Sequence, residues 1–221
     1  MTMAAKIPDT ERGHSARARV WLLTGTGLLA LVVCSYFLVD RPLATLAHEE
    51  LWPWRRAFDA LPHLIDPLPP LAGLVLLWTM GVVARGRTIG PVLADLVRAA
   101  GGLCCAIVVK DQLKYAFGRT WPETWINGNP SFFRDGAYGF VPFHGGPGWF
   151  AFPSGHATTI CAAAAAAWML WPRGRPLYAL AAVLVAIGLI GADYHWLSDI
   201  IAGGAVGTAF GVAAARVGRN V

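Results

Sequence analysis

Residues 20–39, VWLLTGTGLLALVVCSYFLV, form a run of twenty residues without a charged side chain. A helix rises about 1.5 Å per residue, so a run of this length spans the roughly 30 Å hydrocarbon core of a bilayer. Arg17 and Arg19 precede the run, and Asp40 and Arg41 follow it. Because it is too long for the apolar core of a signal peptide, the run is predicted to be an anchoring helix.

Further apolar runs follow along the chain, and the composition agrees with a lipid surrounding. Charged residues make up only 14% of the chain, whereas soluble domains carry about 25%. Segment 43–60 mixes charged residues with Leu, Trp and Phe, which predicts an amphipathic helix at the membrane interface. Residues 62–70 are rich in proline and are predicted to be irregular. The further predicted spans are 68–84, 91–115, 154–171, 176–193 and 196–215. The fold class is therefore all-α, a polytopic membrane bundle of about six transmembrane helices with an interfacial helix.

The basic residues predict the orientation of this bundle. With six spans, four basic clusters share one side: Lys6 to Arg19, Arg85/Arg87, Arg173/Arg175 and Arg216/Arg219. Positive loops stay in the cytoplasm, so both termini are expected there. We therefore expect a cytoplasmic tail over 1–19 and a single transmembrane domain over 20–221. Its loop, 116–153, should carry the active site on the periplasmic or outer face of a bacterial inner membrane. The net charge of +5 is scattered among these clusters, and nucleic acid is not an expected partner.

Three polar segments lie on the predicted outward face: KYAFGRTWP at 114–122, FPSGHA at 152–157 and YHWLSD at 194–199. In the second, Ser154 is a good N-cap, and the free N–H groups of a helix start attract an anion such as phosphate. His156 falls in the first turn and could protonate a leaving oxygen. An ordinary capped helix with an interfacial histidine is the alternative.

The third segment places His195 and Asp199 four residues apart, on one face of a helix. The carboxylate can fix the imidazole tautomer and leave the other nitrogen free to attack. Half of a metal site is a rival interpretation, with His156 and Glu123 or Asp193 as the remaining ligands. Lys114 and Arg119 add positive charge at the same depth, although cations at a span end also snorkel to the interface. Taken together, the segments indicate phosphoryl transfer without a metal.

In these segments the chain resembles the type 2 phosphatidic acid phosphatase superfamily, whose helical core is shared by vanadium haloperoxidases and glucose-6-phosphatase. The family pattern is Lys, six residues and Arg-Pro; then Pro-Ser-Gly-His; then Ser-Arg, five residues, His, three residues and Asp. Matching residues are Lys114, Pro122, Pro153 to His156, His195 and Asp199.

Two positions depart from the family pattern. Trp121 stands where the pattern has its first arginine, and Gly188-Leu189 stand where it has Ser-Arg. Arg119 is expected to replace the first arginine. Arg134, Lys110 or His144 would have to replace the second.

The resemblance implies a hydrolase of a lipid phosphate monoester or pyrophosphate, with His195 as nucleophile, Asp199 orienting it and His156 as acid and base. Lys114, Arg119, Ser154 and Gly155 would bind the phosphate, with neither metal nor cofactor. The implied partners are the bilayer and a phospholipid or polyprenyl phosphate; candidate substrates are undecaprenyl pyrophosphate, phosphatidic acid, phosphatidylglycerol phosphate and a lipid A phosphate. The aromatic residues of the loop could line the lipid entrance. A lipid phosphotransferase using the same histidine, or a non-catalytic lipid-binding relative, are the alternatives.

Overall fold

A computed structural model of the protein describes residues 9–219, and the long regular elements within them are helices. They are α1 (Asp9–Cys34), α2 (Asp40–Leu51), α3 (Arg55–His63), α4 (Leu68–Ala84), α5 (Pro91–Phe117), α6 (Phe132–Asp135), α7 (Gly155–Leu170), α8 (Arg175–Gly191) and α9 (Leu197–Arg216). The all-α prediction is therefore confirmed. Between α5 and α7 the chain forms a long loop that contains only α6, a short 3₁₀ turn and isolated β-bridges.

Four helical stretches are long and apolar enough to cross a membrane: Arg19–Ala84, Pro91–Phe117, Pro172–Gly191 and Leu197–Arg216. The first is a 66-residue stretch that includes most of α1 and all of α2 to α4, while α7 is apolar but shorter. Each predicted span therefore overlaps an apolar helix. Large aliphatic side chains of α1 and α4 are exposed on the outside of the bundle, as expected of a surface that faces lipid.

The first half of the chain is more continuously helical than predicted. Helix α1 already begins at Asp9, so the described part of the predicted tail is helical; Lys6 and the rest of 1–8 lie outside the described residues. The anchoring helix predicted over 20–39 does not end at 39, because a π-helical turn (Ser35–Val39) leads directly into α2. The irregular segment predicted at 62–70 is reduced to a turn at 64–67.

Helices α5, α7 and α9 form the centre of the bundle, and glycines bring α7 and α9 close together. Gly203, Gly207 and Gly211 recur every four residues on α9, and a Cβ on any of them would collide with a carbonyl oxygen of the chain facing it. Such small-residue ridges let helix backbones approach closely in membranes. The approach places the start of α7 against the start of α9, where the Ser154 N–H donates to the carbonyl oxygen of Asp199 at 3.0 Å.

Helix α3 packs across α8 in the same way. A Cβ on Gly188 would lie 2.6 Å from Cδ of Pro62, and one on Gly191 would lie 2.5 Å from the ring of Phe58. Small residues at these two positions therefore allow α3 to lie directly on α8. The C-terminal end of α3, at His63, consequently reaches the same end of the bundle as the starts of α7 and α9.

Replacing Gly207 by alanine should destabilise the bundle, because the added Cβ would meet the backbone of Thr158. Overpacking of this kind costs about 1–3 kcal/mol. Gly204→Ala is the matched control, since its Cβ would meet only Sγ of Cys161, at an ordinary 3.5 Å. Thermal unfolding in detergent, followed by tryptophan fluorescence, should show a lower Tm for Gly207→Ala alone. Equal Tm values for the two variants would contradict this packing.

Candidate active site

The three polar segments of the sequence converge on one pocket of about 630 Å³ at the end of the bundle. Four predicted site residues line it: Lys114, Gly155, His156 and His195. Ser154 and Asp199 are fully buried directly beside these lining residues. Further lining residues include Asp66, Lys110, Trp121, Trp125 and Tyr194.

The start of α7 provides one wall of the pocket. The Ser154 side chain caps the helix by accepting from the N–H of Ala157 at 3.3 Å, as the sequence predicts. Gly155 follows, and two lysines lie beside it: a Cβ there would make ordinary contacts, 3.5 Å from Cδ of Lys110 and 3.8 Å from Cε of Lys114. A helix N-terminus beside two ammonium groups forms a site for an anion.

Both lysines come from the last two turns of α5, which ends where Gly118 adopts a left-handed φ of 57°. Lys114 is 8% exposed, and its ammonium group donates to the carbonyl oxygen of Phe150 and lies 5.5 Å from the ring centroid of Trp121. Lys110, one turn earlier, lies 2.6 Å from a carboxylate oxygen of Asp111. The pocket therefore receives positive charge from lysine ammonium groups.

His195 is almost completely buried, and its Nδ1 lies 3.3 Å from Oδ2 of Asp199. The pairing agrees with the prediction, but the predicted helix face does not: His195 precedes Trp196, the N-cap of α9, whose backbone is extended. The pairing leaves Nε2 as the second ring nitrogen. Burial lowers the pKa of His195 well below its usual range; the positive charges of Lys114 and Arg119 act in the same direction, and the backbone of Ala151 opposes them. The imidazole is therefore neutral near pH 7, which is the form that a nucleophile requires.

Arg119 lies behind the pocket rather than in it, so its predicted contact with phosphate is wrong. Its guanidinium is fully buried and donates to Asp199, to Asp40 at 2.7 Å and to Ser198 at 2.6 Å. Burial opposes the charge of Arg119, but Asp199 and Asp40 outweigh it and raise the pKa. Because every one of these bonds is inside the protein, Arg119 acts on His195 through Asp199 and through its own positive charge.

Asp40 is a member of the site that the sequence did not identify. It follows the first apolar run, is buried, and accepts from the Ser198 N–H at 2.9 Å, the Ser35 hydroxyl at 3.2 Å and the Tyr138 hydroxyl at 3.3 Å. A carboxylate beside a membrane span needs a cationic partner. The position of Asp40 directly after the first apolar run was therefore the sequence feature that could have identified it. The identity of the partner, Arg119, depends on a contact between residues 79 positions apart.

The two departures from the family pattern have a structural explanation. The indole ring of Trp121 occupies the pocket wall, 4.9 Å from the ring of His195, so an aromatic surface replaces the first arginine. Leu189 is fully buried in the apolar core with Ala157 and Val185. Its side chain thus packs between helices, and α8 carries no cation at the position of the second family arginine.

Of the three residues considered as substitutes, the structure brings Lys110 into the pocket. Arg134 is exposed and donates to the carbonyl oxygens of Gly128 and Asn129. His144 is exposed and stacks on Trp149, with 4.2 Å between ring centroids.

The aromatic residues of the loop divide into two groups. Trp121 and Trp125 line the pocket. Tyr138 and Phe140 instead pack against the guanidinium of Arg119, at 5.4 and 4.9 Å from its Cζ. The predicted role of lining an entrance therefore fits the first group, whereas the second belongs to the buried ion cluster.

The group of residues that could hold a metal ion shares His156 with the set considered in the sequence and differs in the other ligands. Asp193 is paired with His48, whose Nδ1 lies 2.8 Å from its Oδ2. Among the described residues, His63, Asp66 and His156 each offer a donor atom, and these atoms lie within 4.8 Å of one another. Sequence reasoning missed this group, because His63 and Asp66 lie in the segment predicted to be irregular.

Removing the carboxylate of Asp40 should destabilise the protein strongly, because the buried Arg119 charge would lose one of its partners. Breaking a buried pair in this way costs about 3–5 kcal/mol. The matched control is Asp95→Ala, which removes a carboxylate paired with Arg98 at 2.8 Å but partly exposed to solvent; that change should cost about 1 kcal/mol or less. Thermal unfolding of Asp40→Ala and Asp95→Ala checks the difference, and a comparable loss in both would contradict it.

Comparisons with known proteins give the family of the chain. Residues 95–221, more than half of the chain, match the model described as PAP2 superfamily. Two relatives named lipid A 1-phosphatase, from Rhizobium johnstonii and Rhizobium etli, are each 37% identical over 110 residues, which is 50% of this chain. The aligned part spans only 42% and 44% of those relatives.

One solved structure is similar in fold. It is described as the first transmembrane PAP2 type phosphatidylglycerolphosphate phosphatase, from Bacillus subtilis. The TM-score is 0.51 with 16% sequence identity, over 86% of this chain and 92% of that one. The likeness supports the arrangement of helices described above.

Proposed function

Because the chain belongs to the PAP2 superfamily, we propose that it is a membrane lipid phosphatase that hydrolyses a phosphate monoester or pyrophosphate through a phosphohistidine on His195. One observation carries the proposal. His195, backed by Asp199, opens into the same pocket as Lys114, Gly155 and His156, so a nucleophile, an anion site and a second histidine face one cavity.

In the first step, Nε2 of neutral His195 attacks phosphorus in line with the leaving oxygen. The N–P bond forms as the P–O bond to the lipid breaks, and His156 gives its proton to the leaving oxygen. Asp199 stabilises the positive charge that develops on the imidazole of His195. Proton transfer from a positioned histidine contributes about 10²–10⁴-fold to such a reaction.

In the second step, His156 is neutral and takes a proton from water. The water oxygen attacks phosphorus, the N–P bond breaks, and inorganic phosphate leaves while His195 returns to its neutral form. The water is the co-substrate, and each histidine ends in its starting protonation state. The proposed cycle thus uses side chains of this protein and no metal ion.

The equatorial oxygens of the transferring phosphoryl group need positive charge, which Lys114 and Lys110 supply in this proposal. Their ammonium groups flank Gly155 at the start of α7, so they meet the same anion as the backbone N–H groups. Ser154 contributes by capping the helix and fixing those N–H groups.

The site should face the periplasm or cell exterior. Lys114 lies at the end of α5, and Gly155 and Leu197 begin α7 and α9; the basic residues at 85–87, 173–175 and 216–219 lie at the opposite helix ends. Positive residues favour the cytoplasm, so the pocket is outside. A lipid could then enter from the outer leaflet. The names of the relatives make lipid A 1-phosphate the first substrate to test.

The proposed function predicts metal-independent release of phosphate by the purified protein in detergent. Release from lipid A, undecaprenyl pyrophosphate, phosphatidic acid and phosphatidylglycerol phosphate would be measured in the presence of EDTA. His195→Ala should abolish release, because no other group replaces the nucleophile. His144→Ala, an exposed histidine outside the pocket, is the control and should keep full activity.

A rapid quench with ³²P-labelled substrate should trap acid-labile, alkali-stable label on the wild-type chain, as expected of a phosphohistidine. Release that persists in His195→Ala, or that disappears with EDTA, would contradict the mechanism. Absence of release from all four lipids, with no label trapped, would contradict the function itself.

Lys110→Ala should lower kcat/KM by about 10–100-fold, because a charge-assisted hydrogen bond contributes about 1.5–3 kcal/mol. Lys110→Arg, which keeps the charge, should restore much of the loss. The control is Arg56→Ala, which removes an exposed cation of α3. Steady-state kinetics with the preferred lipid check the series. Equal kcat/KM for Lys110→Ala and the wild type would show that Lys110 does not bind the phosphate.

A further inference from the structure

We propose that His63, Asp66 and His156 form a binding site for a divalent transition metal ion such as Zn²⁺, and that the bound ion inhibits the enzyme by occupying His156. The site itself depends only on these three side chains, whose donor atoms lie within 4.8 Å of one another. The inhibitory effect rests on the proposed function, in which His156 transfers the proton.

The distances allow coordination after small side-chain movements. Zn²⁺ binds imidazole nitrogen at about 2.0–2.1 Å, so two ligands of a tetrahedral ion are separated by roughly 3.3 Å. The donor atoms must therefore approach by about 1.5 Å at most. His63 and Asp66 have 53% and 57% of their side chains exposed, so both can rotate. Nδ1 of His63 and Oδ2 of Asp66, which share a hydrogen bond of 2.8 Å, would exchange that bond for bonds to the ion.

The backbone that carries His63 and Asp66 is fixed relative to His156. Ile65, between them, is buried in the core cluster that contains Ala157 of α7, the residue directly after His156. Consecutive turns hold the segment, with the Asp66 N–H donating to the carbonyl oxygen of His63 at 3.2 Å. The two ligands of the turn and the ligand of α7 are thus held together by packing, which leaves only side-chain rotations to complete the site.

The ligand set determines which ion fits. Two imidazoles and one carboxylate suit Zn²⁺ and similar transition ions, whereas Mg²⁺ and Ca²⁺ prefer oxygen ligands throughout. Three protein ligands leave one coordination position open in a tetrahedral site. Because Asp66 and His156 both line the pocket, an ion held by them would lie at the wall of the cavity where the phosphate would bind.

Coordination would remove His156 from the reaction. A ring nitrogen whose lone pair binds a metal cannot carry the proton that the leaving oxygen needs, nor accept one from water. The ion therefore blocks both steps at one residue while His195 stays neutral and intact. Removing the metal with a chelator should restore activity at once.

The first test is metal binding by the purified full-length protein in detergent, measured by isothermal titration calorimetry. We expect about one Zn²⁺ per chain and no heat of binding with Mg²⁺. His63→Ala and Asp66→Asn should each weaken Zn²⁺ binding at least about tenfold, while His144→Ala should leave it unchanged. Because His63 is exposed, the His63→Ala variant should fold, and thermal unfolding without metal checks this.

The second test is inhibition. Zn²⁺ should inhibit phosphate release by the wild type, with full recovery in EDTA, and the inhibition constant of His63→Ala should rise at least about tenfold while its activity without Zn²⁺ stays at the wild-type level. Zn²⁺ binding that is unaffected by His63→Ala and Asp66→Asn, or stimulation of release by Zn²⁺, would overturn the proposal.

The two proposals fail separately. If Zn²⁺ binding depends on His63 but the protein releases no phosphate from any lipid, the proposed phosphatase function fails and the proposed metal site stands. Phosphate release that depends on His195, with no calorimetric signal for Zn²⁺, would remove the metal site and leave the function.

Discussion

The buried guanidinium of Arg119 determines how the active end of this bundle is built. It bonds to carboxylates from two helices that are far apart in sequence, Asp40 of α2 and Asp199 of α9. Burying either carboxylate alone would cost several kcal/mol, so the three charges are stable only together. Four aromatic rings around the guanidinium exclude water from the cluster. The orientation of His195 therefore depends, through Asp199, on a residue at the end of the first apolar run.

In the proposed site, the substitutions at the family positions change the groups that would bind phosphate and do not remove the positive charge. An arginine offers two parallel N–H donors to a phosphate, whereas a lysine offers a compact charge on a flexible stem. In this pocket Lys110 and Lys114 supply the charge and Trp121 supplies an apolar wall beside His195. The glycine at 188 that replaces the family serine lets α3 pack directly on α8. Leu189, at the position of the family arginine, is buried in the apolar core next to this contact.

The sequence was sufficient to predict the all-helical fold, because apolar run length is a local property. It also predicted the pairing of His195 with Asp199, although His195 lies before the N-cap of α9 and not on one face of that helix. It also placed Ser154 correctly, since capping is decided within one turn. Arg119 was assigned wrongly because its contacts are not local. It lies two residues before the arginine position of the pattern, which suggested a side chain that reaches into the pocket, but its partners lie at positions 40 and 199. Contacts of that sequence separation depend on the packing of whole helices, which no local pattern contains.

The π-helical turn between Ser35 and Val39 sets the direction in which Asp40 points from its helix. The ion cluster around Arg119 requires that direction. A π turn holds one residue more than an α turn, and each residue of an α-helix advances the chain by about 100°. Deletion of one residue from this turn would rotate Asp40 away from Arg119 and direct its carboxylate toward the hydrocarbon of the bilayer. Exchanges of one apolar residue for another leave this phase unchanged. The number of residues in this helix before Asp40 is accordingly constrained more strictly than their identity. Natural variants should therefore conserve the length of the helix more strictly than its side chains.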